Sequence, residues 1–111
     1  MTVRAAVLIQ AKAAEDSLTT QYVAANAQAL IDKFTATNYS GATVTLTVHL
    51  VATGGSPGDI NAVLRTKALL AGETYLCPEV VGHVLNPGNF ISTLASAPGS
   101  IAIRASGREV S

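Results

Sequence analysis

Between residues 42 and 52 the apolar and polar side chains alternate with a period of two. Val44, Leu46, Val48 and Leu50 fall on one parity, and Thr43, Thr45, Thr47 and His49 on the other. This is the signature of a half-buried β-strand, with the first set directed at a core and the second at solvent or a neighbour. Looser versions of the pattern predict strands over residues 3–11, 18–24, 30–38, 62–69, 73–77, 90–96 and 100–106, with Asp32 intruding on the apolar parity of its segment. Residues 11–16, rich in Ala, admit a helical turn. Thr19, Thr20, Tyr22 and Val23 then restore strand preference.

The punctuation between these segments is turn chemistry. Asn86-Pro87-Gly88-Asn89 and Ala97-Pro98-Gly99-Ser100 place Pro and Gly at the two central positions of a type II turn. Residues 38–41, 53–59 and 70–73 are further turns or loops. Short strands separated by frequent turns predict an all-β fold: an antiparallel β-sandwich, jelly-roll-like, of about eight strands. The 111 residues fit one domain spanning 1–111.

Composition narrows the partners. Seven basic and seven acidic residues cancel, and charged residues are 13% of the chain against 49% hydrophobic. No cationic cluster is available to hold a phosphate backbone, so no nucleic-acid partner is expected. A surface this sparsely charged is weakly defended against association, as in an oligomer or a shell. No apolar run approaches the ~20 residues of a membrane-spanning helix. The run Ala5-Ala6-Val7-Leu8-Ile9 is too short for the core of a signal peptide. A soluble protein made in the cytoplasm is expected.

The candidate chemistry is thin. Gly54-Gly55-Ser56-Pro57-Gly58 matches the G-x-S-x-G pattern of hydrolase elbows, but the residue after the serine must donate a backbone N–H, and Pro57 has none. Cys77, Glu79, His83 and His49 do not have a standard zinc spacing, and Cys77 has no cationic neighbour in sequence to activate it. The acidic residues are scattered, mostly in turns, and Trp is absent, which disfavours glycosidase or sugar-stacking chemistry. A metal enzyme of cupin type would need more than two histidines. Neither a catalytic site nor a cofactor is expected.

A resemblance runs through the chain from about Gln28 to its end. Ile31-Asp32-Lys33-Phe34-Thr35-Ala36-Thr37-Asn38, Gly72-Glu73-Thr74-Tyr75, Pro78-Glu79-Val80-Val81-Gly82-His83-Val84-Leu85, Pro87-Gly88-Asn89-Phe90-Ile91 and Ile103-Arg104-Ala105-Ser106-Gly107-Arg108-Glu109 together resemble a family of small proteins encoded among the virion genes of tailed phages. The amino-terminal quarter lies outside the resemblance. The resemblance implies a non-enzymatic virion component whose partners are the major capsid protein or other virion proteins. A head decoration or cement protein is favoured, because the chain is one compact domain with no coiled-coil extension. The alternative is a trimeric collar, neck or tail-fibre module that binds host-surface glycans. Either is expected to be a homo-oligomer, a trimer or a dimer.

Two segments are expected to form the interface. Residues 1–14, with Val3, Arg4, Val7 and Ile9, form an arm or an exchanged edge strand. Residues 104–111 carry Arg104, Arg108 and Glu109, the densest charges in the chain. The simpler alternative for both is an ordinary terminal strand with a solvated end.

Overall fold

The computed structural model describes all 111 residues and contains nine strands. They are β1 (Val3–Ala13), β2 (Thr19–Val23), β3 (Gln28–Asn38), β4 (Val44–Val51), β5 (Ala62–Leu69), β6 (Thr74–Tyr75), β7 (Val84–Leu85), β8 (Phe90–Ala95) and β9 (Ile101–Val110). A single 3₁₀ turn, Asp59–Asn61, interrupts the loop between β4 and β5.

Every pairing is antiparallel. One sheet has the order β1-β9-β3-β6, with β7 also on β3, and the other has the order β2-β8-β4-β5. The pairs β1–β9, β2–β8, β3–β6 and β4–β5 nest as one long hairpin, and β9–β3 and β8–β4 close that hairpin on itself. That path is a jelly roll, the architecture the turn spacing predicts. The inner faces enclose Phe34, Ile31, Leu46, Leu69, Leu85, Ile91, Ile101 and Ile103, all essentially inaccessible to solvent. Each contributes on the order of 1.5–3 kcal/mol by leaving water.

The turns behave as their residues dictate. Gly88 takes φ +91°, and the Asn89 N–H closes the turn on the Asn86 carbonyl at 2.9 Å. A side chain there would be strained and would also collide with Thr53.

Several expectations need correction. Residues 11–16 form no helical turn, since β1 runs through to Ala13. The amino-terminal segment is no free arm: it is a sheet strand hydrogen-bonded along β9. The last strand does not end at Ser106 but continues to Val110, so the charged segment 104–109 is strand and not a solvated tail. In β4, Thr47 and His49 are buried although their parity points away from the core. The 52–61 loop covers that face, and His49 Nδ1 lies 2.9 Å from Asn61 Oδ1 and 3.1 Å from the Gly58 carbonyl. Thr47 Oγ1 accepts the N–H of Thr66, which sits at a register shift in β5 with φ +44°.

Candidate assembly surface

The outer face of the first sheet assembles residues far apart in sequence. Pairing sets Val84 beside Leu30, Leu30 beside Arg108, and Arg108 beside Ala5. Opposite residues in a ladder share a face, so this row crosses all of β7, β3, β9 and β1. Val3 and Val7 flank it on β1, at 52% and 43% exposure, and Val84 is 48% exposed at the far end. Arg108 lies across the row and grips Asp32 with two bonds, Nε and Nη2 each donating at 3.0 Å. The guanidinium holds the Asp32 carboxyl below its ordinary range. A shallow hollow of about 510 Å³ opens here, lined by Ala5, Val7, Asp32, Ser106, Gly107 and Arg108.

Of the interface residues expected from sequence, the structure brings Val3, Val7 and Arg108 to this face, with Arg104 exposed further along the same strand opposite Thr35. Ile9 does not belong there. It is 2% exposed, inside the core, because register shifts on both sides of it in the β1–β9 ladder break the alternation that began at Val3. Arg4 and Glu109 face the other way and close one end of the sandwich. Glu109 accepts the Tyr22 hydroxyl at 2.6 Å and Arg4 Nη2 at 2.9 Å, tying β2 of one sheet to β9 and β1 of the other. Ala5, Leu30, Asp32 and Val84 belong to the face and escaped sequence reasoning. Only Asp32 left a signal, as the acidic residue that interrupts the β3 pattern.

The hydrogen bonds from Tyr22 and then Arg4 hold the Glu109 carboxyl below its ordinary value of 4.5. A depressed carboxyl stabilises the fold above the unfolded-state value and loses that contribution as pH falls through the folded value. The Glu109→Gln variant is therefore expected to be less stable than wild type at neutral pH, with the difference shrinking as pH falls below 4.5. Urea midpoints measured from pH 3 to pH 7 check this.

The residues with potential chemistry lie apart. Ser56 is in an exposed loop, His83 Nε2 is 3.0 Å from the Glu79 carbonyl, and no three His, Cys, Asp or Glu side chains converge as metal ligands. Cys77 is buried, and burial followed by the nearby Glu79 charge pushes its thiol up to about 12. Its reaction with an aromatic disulfide reagent at pH 8 is expected to be negligible in the native protein and to appear with the urea unfolding transition. Rapid labelling of the folded protein would contradict the burial.

No family model, curated protein or solved structure matches the chain.

Proposed function

We propose that this protein is a non-enzymatic structural subunit of a tailed-phage virion, a decoration protein that cements the capsid shell. The outer face of the first sheet carries this assignment: an aliphatic row of Val84, Leu30 and Ala5 crossed by the Arg108–Asp32 pair, on a domain with few charges. Such a face docks by burying the row while the ion pair fixes orientation at its margin. The resemblance of the segment from Gln28 onward to small virion proteins supports the same assignment, as does the jelly-roll path. Cementing needs only a modest contact, because one weak site repeated over a symmetric shell gives a large total.

The test uses shells assembled from the major capsid protein of the phage that carries the gene. Saturable co-sedimentation at a fixed ratio to capsid subunits is expected, with a higher temperature of shell rupture. Val84→Asp places a charge in the row and is expected to weaken shell binding by about tenfold or more. Failure to bind shells at tens of micromolar overturns the decoration role. Binding to neck or tail assemblies, or to host-surface glycans, would move the protein to the collar or fibre class.

A further inference from the structure

We propose that the open edge of β1 is a self-recognition element: residues 3–7 pair antiparallel with the same residues of a second copy, about a two-fold axis through Ala5. The hydrogen-bond phase of the ladder points to it. Thr2 and Ser111 exchange both backbone bonds, at 2.7 and 2.9 Å. The one-to-one register then runs without a shift from Val3↔Val110 to Val7↔Ser106. In an antiparallel pair such bonded positions alternate. Thr2, Arg4 and Ala6 therefore spend their amides and carbonyls on β9, while Val3, Ala5 and Val7 direct theirs outward, past the edge of the sheet.

That outward set is self-complementary. With Ala5 opposite Ala5 of the second copy, Val3 meets Val7 and Val7 meets Val3. All three pairs are in bonding phase, giving about six interchain hydrogen bonds. The side chains brought opposite each other are Val and Ala, and Val3 and Val7 are exposed and apolar in the free chain. No like charges are forced together. Arg4 falls opposite Ala6 and is already held by Glu109. The two Arg108 side chains stand three strand spacings apart, roughly 14 Å, beyond the screening length at physiological salt, and each is neutralised by Asp32.

The other edges are blunted in the ways that prevent such pairing. β2 has five residues and a register shift. β5 is broken by two shifts and carries Arg65 and Lys67. β6 and β7 have two residues each. Beyond Val7, β1 itself is bulged and carries Lys12. The unshifted segment 3–7 is the longest regular stretch of free edge, and pairing there joins two jelly rolls through one continuous sheet. A contact of five residues a side is small, so the dimer is expected to be concentration-dependent. The pairing does not depend on the kind of particle the protein serves, and it leaves the outer face of the sheet free.

Light scattering and sedimentation equilibrium from 10 μM to 1 mM test it. A mass rising towards twice that of the chain is expected. Ala5→Pro removes one outward N–H and no bond to β9, so it is expected to abolish the rise while leaving the thermal midpoint nearly unchanged. Should that variant misfold, the pair Val3→Lys with Val7→Lys sets ammonium groups opposite each other and is expected to keep the chain monomeric. Val3→Glu with Val7→Lys is expected to restore the dimer. Ala5→Cys is expected to cross-link on mild oxidation, since bonded pairs hold their Cα atoms about 5.5 Å apart, within disulfide range, whereas Ala11→Cys is not. A wild-type chain monomeric to 1 mM, or a dimer that ignores the lysine pair and the charge swap, overturns the proposal. A monomer that still coats capsid shells would overturn this pairing alone, and a dimer that ignores shells would overturn the particle role alone.

Discussion

Gly107→Ala is expected to cost about 3 kcal/mol or more, the largest loss of any single-methyl addition in the molecule. Gly107 lies in β9 between β1 and β3, paired with Ala6 on one side and Ile31 on the other. A Cβ built on it would collide with the carbonyl oxygen of Leu30 and crowd Leu8 Cδ1 at 3.2 Å. The obstacle is backbone, fixed by the β3–β9 ladder just where the register shifts between Ile31 and Lys33. A flexible side chain could move aside, but a ladder carbonyl cannot do so without giving up its bonds. Overpacking commonly costs 1–3 kcal/mol when side chains can adjust, so this site falls at or above the top of that range. Gly41→Ala, where the added methyl meets nothing within 4 Å, is the control and is expected to stay within about 0.5 kcal/mol of wild type. Urea denaturation of both variants with unchanged slopes decides the point. Near-wild-type stability of Gly107→Ala would mean that β3 and β9 are less tightly locked than the ladder shows.

The same strand shows where sequence reasoning reaches and where it stops. The β4–β5 half of the second sheet and the turn before β8 were readable because their signals are local. The β4 alternation and the 62–69 span of β5 come straight from side-chain parity, and Asn86–Asn89 from Pro-Gly turn chemistry. β9 was readable as far as Ser106, and residues 107–110 were not. Gly107, Arg108 and Glu109 continue no apolar alternation, and a strand whose β1 partners are a hundred residues away in sequence looks, taken alone, like a solvated end. β1 failed in the opposite direction. Val3, Ala5, Val7 and Ile9 keep one parity in sequence, yet a bulge after Val7 turns Leu8 and Ile9 both into the core. A bulge inserts one residue and reverses every parity assignment beyond it. His49 was read correctly by parity and wrongly by exposure, because the cover over it is a loop whose path alternation cannot report. The candidate face inherits all three limits. Its members sit on four strands, and only the nested pairing of the jelly roll sets Val84, Leu30, Arg108 and Ala5 in line.

Asn38→Asp is expected to cost about 3 kcal/mol at pH 7, and the cost should shrink in acid. Asn38 has no solvent exposure and closes the end of the sandwich opposite Glu109. Its Nδ2 donates to the carbonyls of Ala42 at 2.7 Å and Leu69 at 2.9 Å, while Oδ1 accepts the N–H and the hydroxyl of Ser40 at 2.9 and 2.7 Å. The amide thus joins the end of β3 to the entry of β4 and the exit of β5, with all four of its bonding positions in use. An aspartate keeps the acceptor and loses both donors. Two carbonyls then face a carboxylate in a buried site, which combines lost hydrogen bonds with an uncompensated charge. The introduced carboxyl escapes part of that penalty by taking up a proton, because the protonated acid donates one bond again. Its folded-state value therefore rises above the unfolded value of about 3.9. For an acid shifted in that direction the destabilisation is absent below the unfolded value and grows as pH rises towards the folded one. Wild type behaves with the opposite sign, since Glu109 and Glu15 are both held below their ordinary value and contribute less as pH falls. Glu109 and Glu15 are common to both proteins and cancel in the difference, so the gap between Asn38→Asp and wild type should close between pH 7 and pH 4 through the introduced carboxyl alone, and Asn38→Ala, with no proton to gain, should follow wild type at a constant offset. Thermal midpoints of the three proteins across that range separate the cases: a gap for Asn38→Asp that stays constant with pH would mean that the site admits water to the carboxylate and that the end of the sandwich is open.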